Sequence, residues 1–83
     1  MAPLPLSASF HGDIAVLLVL VDDHDTAEVV GQKIAVHVAG RRVAAAPGPV
    51  RVRHEGRVLP AGQRVGEAGV SPMDYVEAFY DER

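Results

Sequence analysis

An α+β fold, with a mixed sheet of four to five strands packed on one helix, is predicted by three observations. Valine (14) and alanine (12) dominate the 83 residues while aromatics make up only 5%, so the core is built from small, often β-branched side chains that favour sheet. Apolar residues alternate with polar ones near both ends of the sequence, the period of a strand with one buried face. One stretch between them, and only one, has helical spacing. The length fits a single domain over 1–83, with about 60% of the unfolded surface removed from water.

Leu4, Leu6, Ala8 and Phe10 alternate with Pro5, Ser7 and Ser9, which predicts the first strand. His11-Gly12-Asp13 is a tight turn, and the apolar run Ile14 to Val21 is the second strand, completing a hairpin. Asp22-Asp23-His24-Asp25 ends that run. Asp25 or Thr26 suits a helix N-cap, and Glu28 stands three residues after Asp25, as in a capping box. Ala27, Val30, Ile34 and Val38 then share one helical face, with Gly40 as the stop and Arg41-Arg42 at the negative end of the dipole. Gly31 costs the helix about 1 kcal/mol relative to alanine, which predicts a close approach to the sheet there. Ala44 to Pro49 is a loop. Val50 to His54 alternates as a third strand, Glu55-Gly56 turns, and Arg57-Val58-Leu59 forms a short fourth. Pro60 to Val70 is a glycine-rich loop whose Val65, Ala68 and Val70 plug the end of the core, and Asp74 to Tyr80 is the last strand. A hairpin, a crossing helix and further strands at this length describe a β-grasp, the ubiquitin-like roll, with the last strand between the first and third. The expected core is Leu4, Leu6, Val30, Ile34, Val38, Val50, Val52, Val76 and Ala78, with one face of the second strand.

Composition removes several classes of function. With no cysteine, a disulfide scaffold, a thiolate metal site, an iron–sulfur cluster and a thiol nucleophile are excluded. A net charge of −3 provides no basic field for nucleic acid. No basic leader precedes the first strand, and the longest apolar run is too short to span a bilayer, so no membrane association and a cytoplasmic location are expected. Ser7, Ser9 and Ser71 lack a nucleophile-elbow context, and the eight glycines contain neither G-x-G-x-x-G nor a P-loop. The histidines His11, His24, His37 and His54 show no zinc-ligand spacing, and Asp22-Asp23-His24-Asp25 reads as a helix-capping loop. The chain is therefore expected to be non-catalytic and to bind no metal or cofactor.

What remains is unexplained apolar surface. A single helix covers one face of a sheet, yet all eight residues from Ile14 to Val21 are apolar. Ile14, Val16, Leu18 and Leu20 form one face; Ala15, Leu17, Val19 and Val21 form the other. One of these sets has no internal cover, and exposed apolar area of this kind marks a partner surface.

Several stretches carry a family pattern: Phe10-x-x-Asp13, the run ending Val21-Asp22, the helix with Lys33, His37 and the Arg41-Arg42-Val43-Ala44 end, the strand Val50 to Arg53, and the stretch from Pro72 to Glu82 that ends in acids. In these the sequence resembles the small gamma subunit of the hydroxylase in toluene-monooxygenase-type bacterial multicomponent monooxygenases. The resemblance covers nearly the whole chain. The Ala- and Pro-rich loop Ala45 to Pro49 departs from the pattern. The resemblance implies a ubiquitin-like subunit bound in two copies in an α2β2γ2 hydroxylase, beside a large subunit whose carboxylate-bridged diiron centre hydroxylates or epoxidises aromatic or alkene hydrocarbons. The partners implied are that large diiron subunit and a second hydroxylase subunit. Electrons would arrive through a Rieske ferredoxin and a reductase, which this cysteine-free chain does not resemble.

Docking is expected through the open face of the sheet. Val50, Val52, Val76 and Ala78 face the helix, which sends Arg51, Arg53, Tyr75, Glu77 and Phe79 to the other side, with Glu77 between two guanidiniums. Arginine and aromatics are enriched at interface hot spots. Leu17 and Val19 of the second strand complete the expected interface, and the Lys33–His37–Arg41 stripe of the helix is the alternative surface. Two other readings share the fold. A conjugating modifier or sulfur carrier needs a Gly-Gly terminus, which Tyr80-Asp81-Glu82-Arg83 does not supply. A free-standing β-grasp adaptor with no oxygenase partner is the remaining one.

Overall fold

The computed structural model describes residues 2–13, 15–38 and 49–81. Five strands and one helix follow in the order β1 (Pro3–Phe10), β2 (Leu17–Asp22), α1 (Ala27–Val38), β3 (Val50–His54), β4 (Arg57–Val58) and β5 (Tyr75–Tyr80). They form one sheet in the order β2-β1-β5-β3-β4. The pair β1–β5 is parallel and the other pairs are antiparallel, so the last strand is central and the sheet is mixed. This is the β-grasp arrangement, with α1 across one face.

Alternation sets the buried face of β1, β3 and β5. Leu4, Leu6, Ala8 and Phe10 of β1 are buried, as are Val52 of β3 and Val76 and Ala78 of β5. Ala27, Val30, Ile34 and Ala35 meet them from α1, while Val50 and Tyr80 pack against the cluster partly buried. The Phe10 and Tyr80 rings meet edge-on at 5.1 Å. Leu59, Val65 and Val70 close the end of the core, which accounts for an apolar residue every few positions in an otherwise glycine-rich loop.

Geometry requires glycine at positions 31 and 56. A Cβ on Gly31 would stand 2.9 Å from Val50 Cγ1 and 3.2 Å from the Val50 carbonyl, so the bare backbone lets α1 approach β3. Gly56 has φ +78° and follows Glu55 at φ +52°, which makes the two-residue β3–β4 connection a type I′ hairpin turn.

Boundaries moved where tertiary bonds decide them. The second strand begins at Leu17, after a segment in which the Asp13 carboxylate accepts the Ala15 N–H at 3.2 Å. The N-cap is Thr26: its carbonyl accepts the Val30 N–H at 3.0 Å and its hydroxyl accepts the Val29 N–H at 3.4 Å. Asp25 turns back to accept the Asp22 N–H at 3.0 Å and the Lys33 ammonium at 2.6 Å. The assignments of Ile14, of the helix stop at Gly40 with Arg41-Arg42, of the loop from Ala44, of Glu82 and of the Val38 side chain lie outside the described residues.

Candidate partner interface

The register places the open-face side chains in rows across the sheet. Leu20 lies opposite Pro5, and Leu18 opposite Ser7, which in turn stands beside Tyr75. Ser9 is beside Glu77, Glu77 opposite Arg53, and Arg53 opposite Val58. Phe79 is opposite Arg51. The open face therefore has an apolar half over β2 and β1 and a charged half over β5 and β3.

The apolar half is exposed. Leu18 is 71% accessible, Leu20 65% and Tyr75 52%. Val16 just before β2, and Met73, whose N–H donates to the Pro5 carbonyl, are exposed as well. The hydroxyls of Ser9 and Tyr75 share a hydrogen bond, which satisfies Ser9 where it is buried on this side of the sheet. Burying one such leucine removes about 1.5–3 kcal/mol of unfavourable hydration, and nothing described in the chain does it.

The charged half is internally paired. Arg53 donates to Glu77 at 2.6 Å and stacks over the Phe79 ring at 4.7 Å. His11 stands 3.8 Å from the second Glu77 oxygen. Arg51 bonds Asp81 at 3.1 Å and the Leu59 carbonyl at 3.3 Å. Glu77 is thus not shared between two guanidiniums: it lies directly opposite Arg53, whereas Arg51 faces Phe79 and reaches the next carboxylate along, Asp81. Each pair is partly exposed, so it orients the surface more than it stabilises the fold.

Two expected interface residues are corrected. Val19 is 5% accessible, and Leu17 packs against the core. Leu6 opposite Val19 and Ala8 opposite Leu17 both face the helix, so these β2 side chains do too. Leu18 and Leu20 take their place on the open face. The uniform apolar run of β2 carries no parity signal; only its register against the alternating β1 reveals the exposed face. The alternative stripe on α1 is described at Lys33, which pairs with Asp25, and at His37, while Arg41 lies outside the described residues.

Sequence reasoning assigned no role to His54, which is 3% accessible and bonds Asp74 through Nε2 at 2.9 Å. The signal was its parity with Val50 and Val52. The Ser71 N–H, and then His54, hold the Asp74 carboxyl below the usual range. The pair ties the end of β3 to the entrance of β5 on the helix side, away from the open face.

Asp22, Asp23 and His24 bring three potential ligand atoms within 4.8 Å of one another. Those groups are engaged in the turn: Asp23 accepts the Ala2 N–H at 2.9 Å and meets His24 Nδ1 at 2.8 Å, and Asp22 accepts the His24 N–H at 2.8 Å. The Ala2 bond, with His24, brings the Asp23 carboxyl down to about 2, so the corner stays anionic. Among the described residues, no helix is long and apolar enough to cross a membrane.

Residues 3–80 match the family model for toluene-4-monooxygenase system protein B (TmoB). A relative from Ectopseudomonas mendocina, the toluene-4-monooxygenase system hydroxylase component subunit gamma, is 33% identical over 84 residues, covering 99% of this chain and 100% of the relative. A chain in a solved toluene 4-monooxygenase HD complex with the inhibitor 4-bromobenzoate superposes with a TM-score of 0.91 at 32% identity, over 96% of this chain and 100% of that one. Ubiquitin from Caldiarchaeum subterraneum superposes with a TM-score of 0.72 at 15% identity, over 99% of this chain and 98% of that one, a likeness of fold alone.

Proposed function

This chain belongs to the toluene-4-monooxygenase system protein B family, and from that premise we propose that it is the non-catalytic gamma subunit of a hydrocarbon monooxygenase hydroxylase, docked on the large subunit through the open face of its sheet. The observation that carries the docking surface is the exposure of Leu18, Leu20 and Tyr75 on the face that α1 leaves uncovered. A folded chain gains nothing by holding those side chains in water, whereas an apolar partner surface removes them from it. The Arg53–Glu77 pair and the Phe79 ring border that patch and give it a polar, orienting side.

The hydroxylase chemistry belongs to another subunit. A carboxylate-bridged diiron centre takes Glu-x-x-His pairs from facing helices. No Glu-x-x-His occurs anywhere in this sequence, and Glu28 and His37 of α1 are nine positions apart and both exposed. The residues do not fit that centre, and the iron is assigned to the large subunit. Lack of cysteine likewise leaves electron transfer to other components. The reading includes assembly with the second hydroxylase subunit and a cytoplasmic location.

Tyr75→Ala combined with Phe79→Ala tests the reading. The isolated variant is expected to keep its circular dichroism spectrum, and its recovery with the large subunit on co-purification to fall at least about tenfold, a loss of about 1.4 kcal/mol. Full recovery with the large subunit, or loss of the fold together with intact assembly, would move the docking surface elsewhere, with the exposed side of α1 the next candidate.

A further inference from the structure

The open face ends at β2, which has no outer neighbour among the described residues, and the backbone of that strand is arranged to take one. The Ser7 N–H donates to Asp74 and the Met73 N–H to the Pro5 carbonyl, so the odd-numbered residues of β1 direct their main-chain groups at β5 and its entrance. Leu4, Leu6 and Ala8 therefore bond β2, through Val21, Val19 and Leu17. The N–H and C=O groups of Leu18 and Leu20 consequently point away from the sheet, along its outer edge.

Natural edge strands are blunted by charge, proline or shortness. The opposite edge has all three: β4 is two residues long, carries Arg57 and is followed within two positions by Pro60. The β2 edge has none between Ala15 and Val21. It is limited at the Asp22 end, where Asp25 accepts the outward Asp22 N–H and the Asp22 carbonyl accepts the Asp25 N–H at 2.9 Å. That cap leaves a short template centred on Leu18 and Leu20, whose side chains belong to the apolar patch.

We infer that the β2 edge accepts an extended segment of the large hydroxylase subunit as a sixth strand, with main-chain hydrogen bonds at Leu18 and Leu20 and apolar side chains over the open face. This rests on the proposed subunit role and states how that face is engaged. Charge selects the occupant. The edge ends at Asp22 and Asp23, and the chain carries a net charge of −3, so the added segment is apolar with a flanking lysine or arginine. A second copy of this chain would bring the same acids and the same net charge, and would leave both open faces in water.

The test separates the backbone from the side chain. Leu18→Ala removes the apolar group and keeps the outward N–H; Leu18→Pro removes both, at an edge position where β1 does not use that N–H and proline is tolerated. In assembly with the hydroxylase, Leu18→Pro is expected to bind at least about tenfold more weakly than Leu18→Ala. Amide exchange of the unmodified chain gives a second reading that needs no variant. The Leu18 and Leu20 amides are expected to exchange freely in the isolated chain and to slow by about 100-fold or more in the complex. Equal binding of the two variants, or exchange slowed less than about tenfold, overturns the added strand. It leaves face docking standing as long as the Tyr75→Ala with Phe79→Ala chain still fails to assemble, and assembly of that chain overturns the docking face itself. A dimer of the isolated chain that Leu18→Pro dissolves, with hydroxylase assembly unaffected, overturns the choice of occupant.

Discussion

Replacing Ile34 by alanine is expected to destabilise the isolated chain by about 2–5 kcal/mol. Ile34 is fully buried where α1 crosses the sheet, within the cluster formed by Leu4, Leu6, Val30, Val52 and Val76. Truncation removes the transfer free energy of three carbons and leaves a void that α1 cannot close, since Gly31 already stands in contact with Val50 one turn away. A chain of this length has a stability of roughly 5–15 kcal/mol, so the loss is a large fraction of the total. Ile34→Val, which removes one methyl, is expected to cost about 0.5–1.5 kcal/mol and keeps the series measurable if the alanine variant unfolds. Urea denaturation monitored by circular dichroism reads both. A change below about 0.5 kcal/mol for alanine would mean that α1 packs on a different face.

Leu18→Lys combined with Leu20→Lys is expected to have the opposite profile, with little effect on the fold and a large effect on assembly. Both side chains are more than half exposed, and lysine is the residue with which natural edge strands are protected, so the isolated chain should melt within about 0.5 kcal/mol of the parent. In the complex the same two positions would bury ammonium groups against an apolar surface. Affinity for the large subunit is expected to fall by at least about 100-fold, or 2.7 kcal/mol, as measured by titration of the labelled chain into hydroxylase lacking it. An unchanged affinity would remove the apolar half of the sheet from the interface.

Much of this architecture is legible in the sequence because period and punctuation agree there. Alternation from Leu4 to Phe10 and from Val50 to His54 assigns both strand type and buried face. Ala27, Val30 and Ile34 identify the packed side of α1, and Glu55-Gly56 marks the hairpin turn. The β2 run is the instructive exception. Eight apolar residues satisfy either parity, so the choice of Leu17 and Val19 as surface residues had no local signal to correct it. Pairing of β1 with β2, a tertiary fact, turns those two inward and Leu18 and Leu20 outward. The same limit applies to the ion pairs. Alternation puts Arg51, Arg53 and Glu77 on one side, but which guanidinium meets which carboxylate depends on the register of β3 against β5. His54–Asp74 needed that register together with the turn at Ser71, which no sequence period encodes.

The chain has no cysteine, so a single introduced thiol reports on one position at a time. The most direct test of the docking surface is the alkylation rate of Leu20→Cys, on the open face, beside that of Val36→Cys, which is 71% accessible on α1. Each is read by mass on this chain alone, free and in the assembled hydroxylase. Assembly is expected to slow the reaction at position 20 by at least about tenfold and to leave position 36 at its free rate. A thiol at position 20 that reacts equally fast in both states, with position 36 protected instead, would contradict docking through the open face of the sheet.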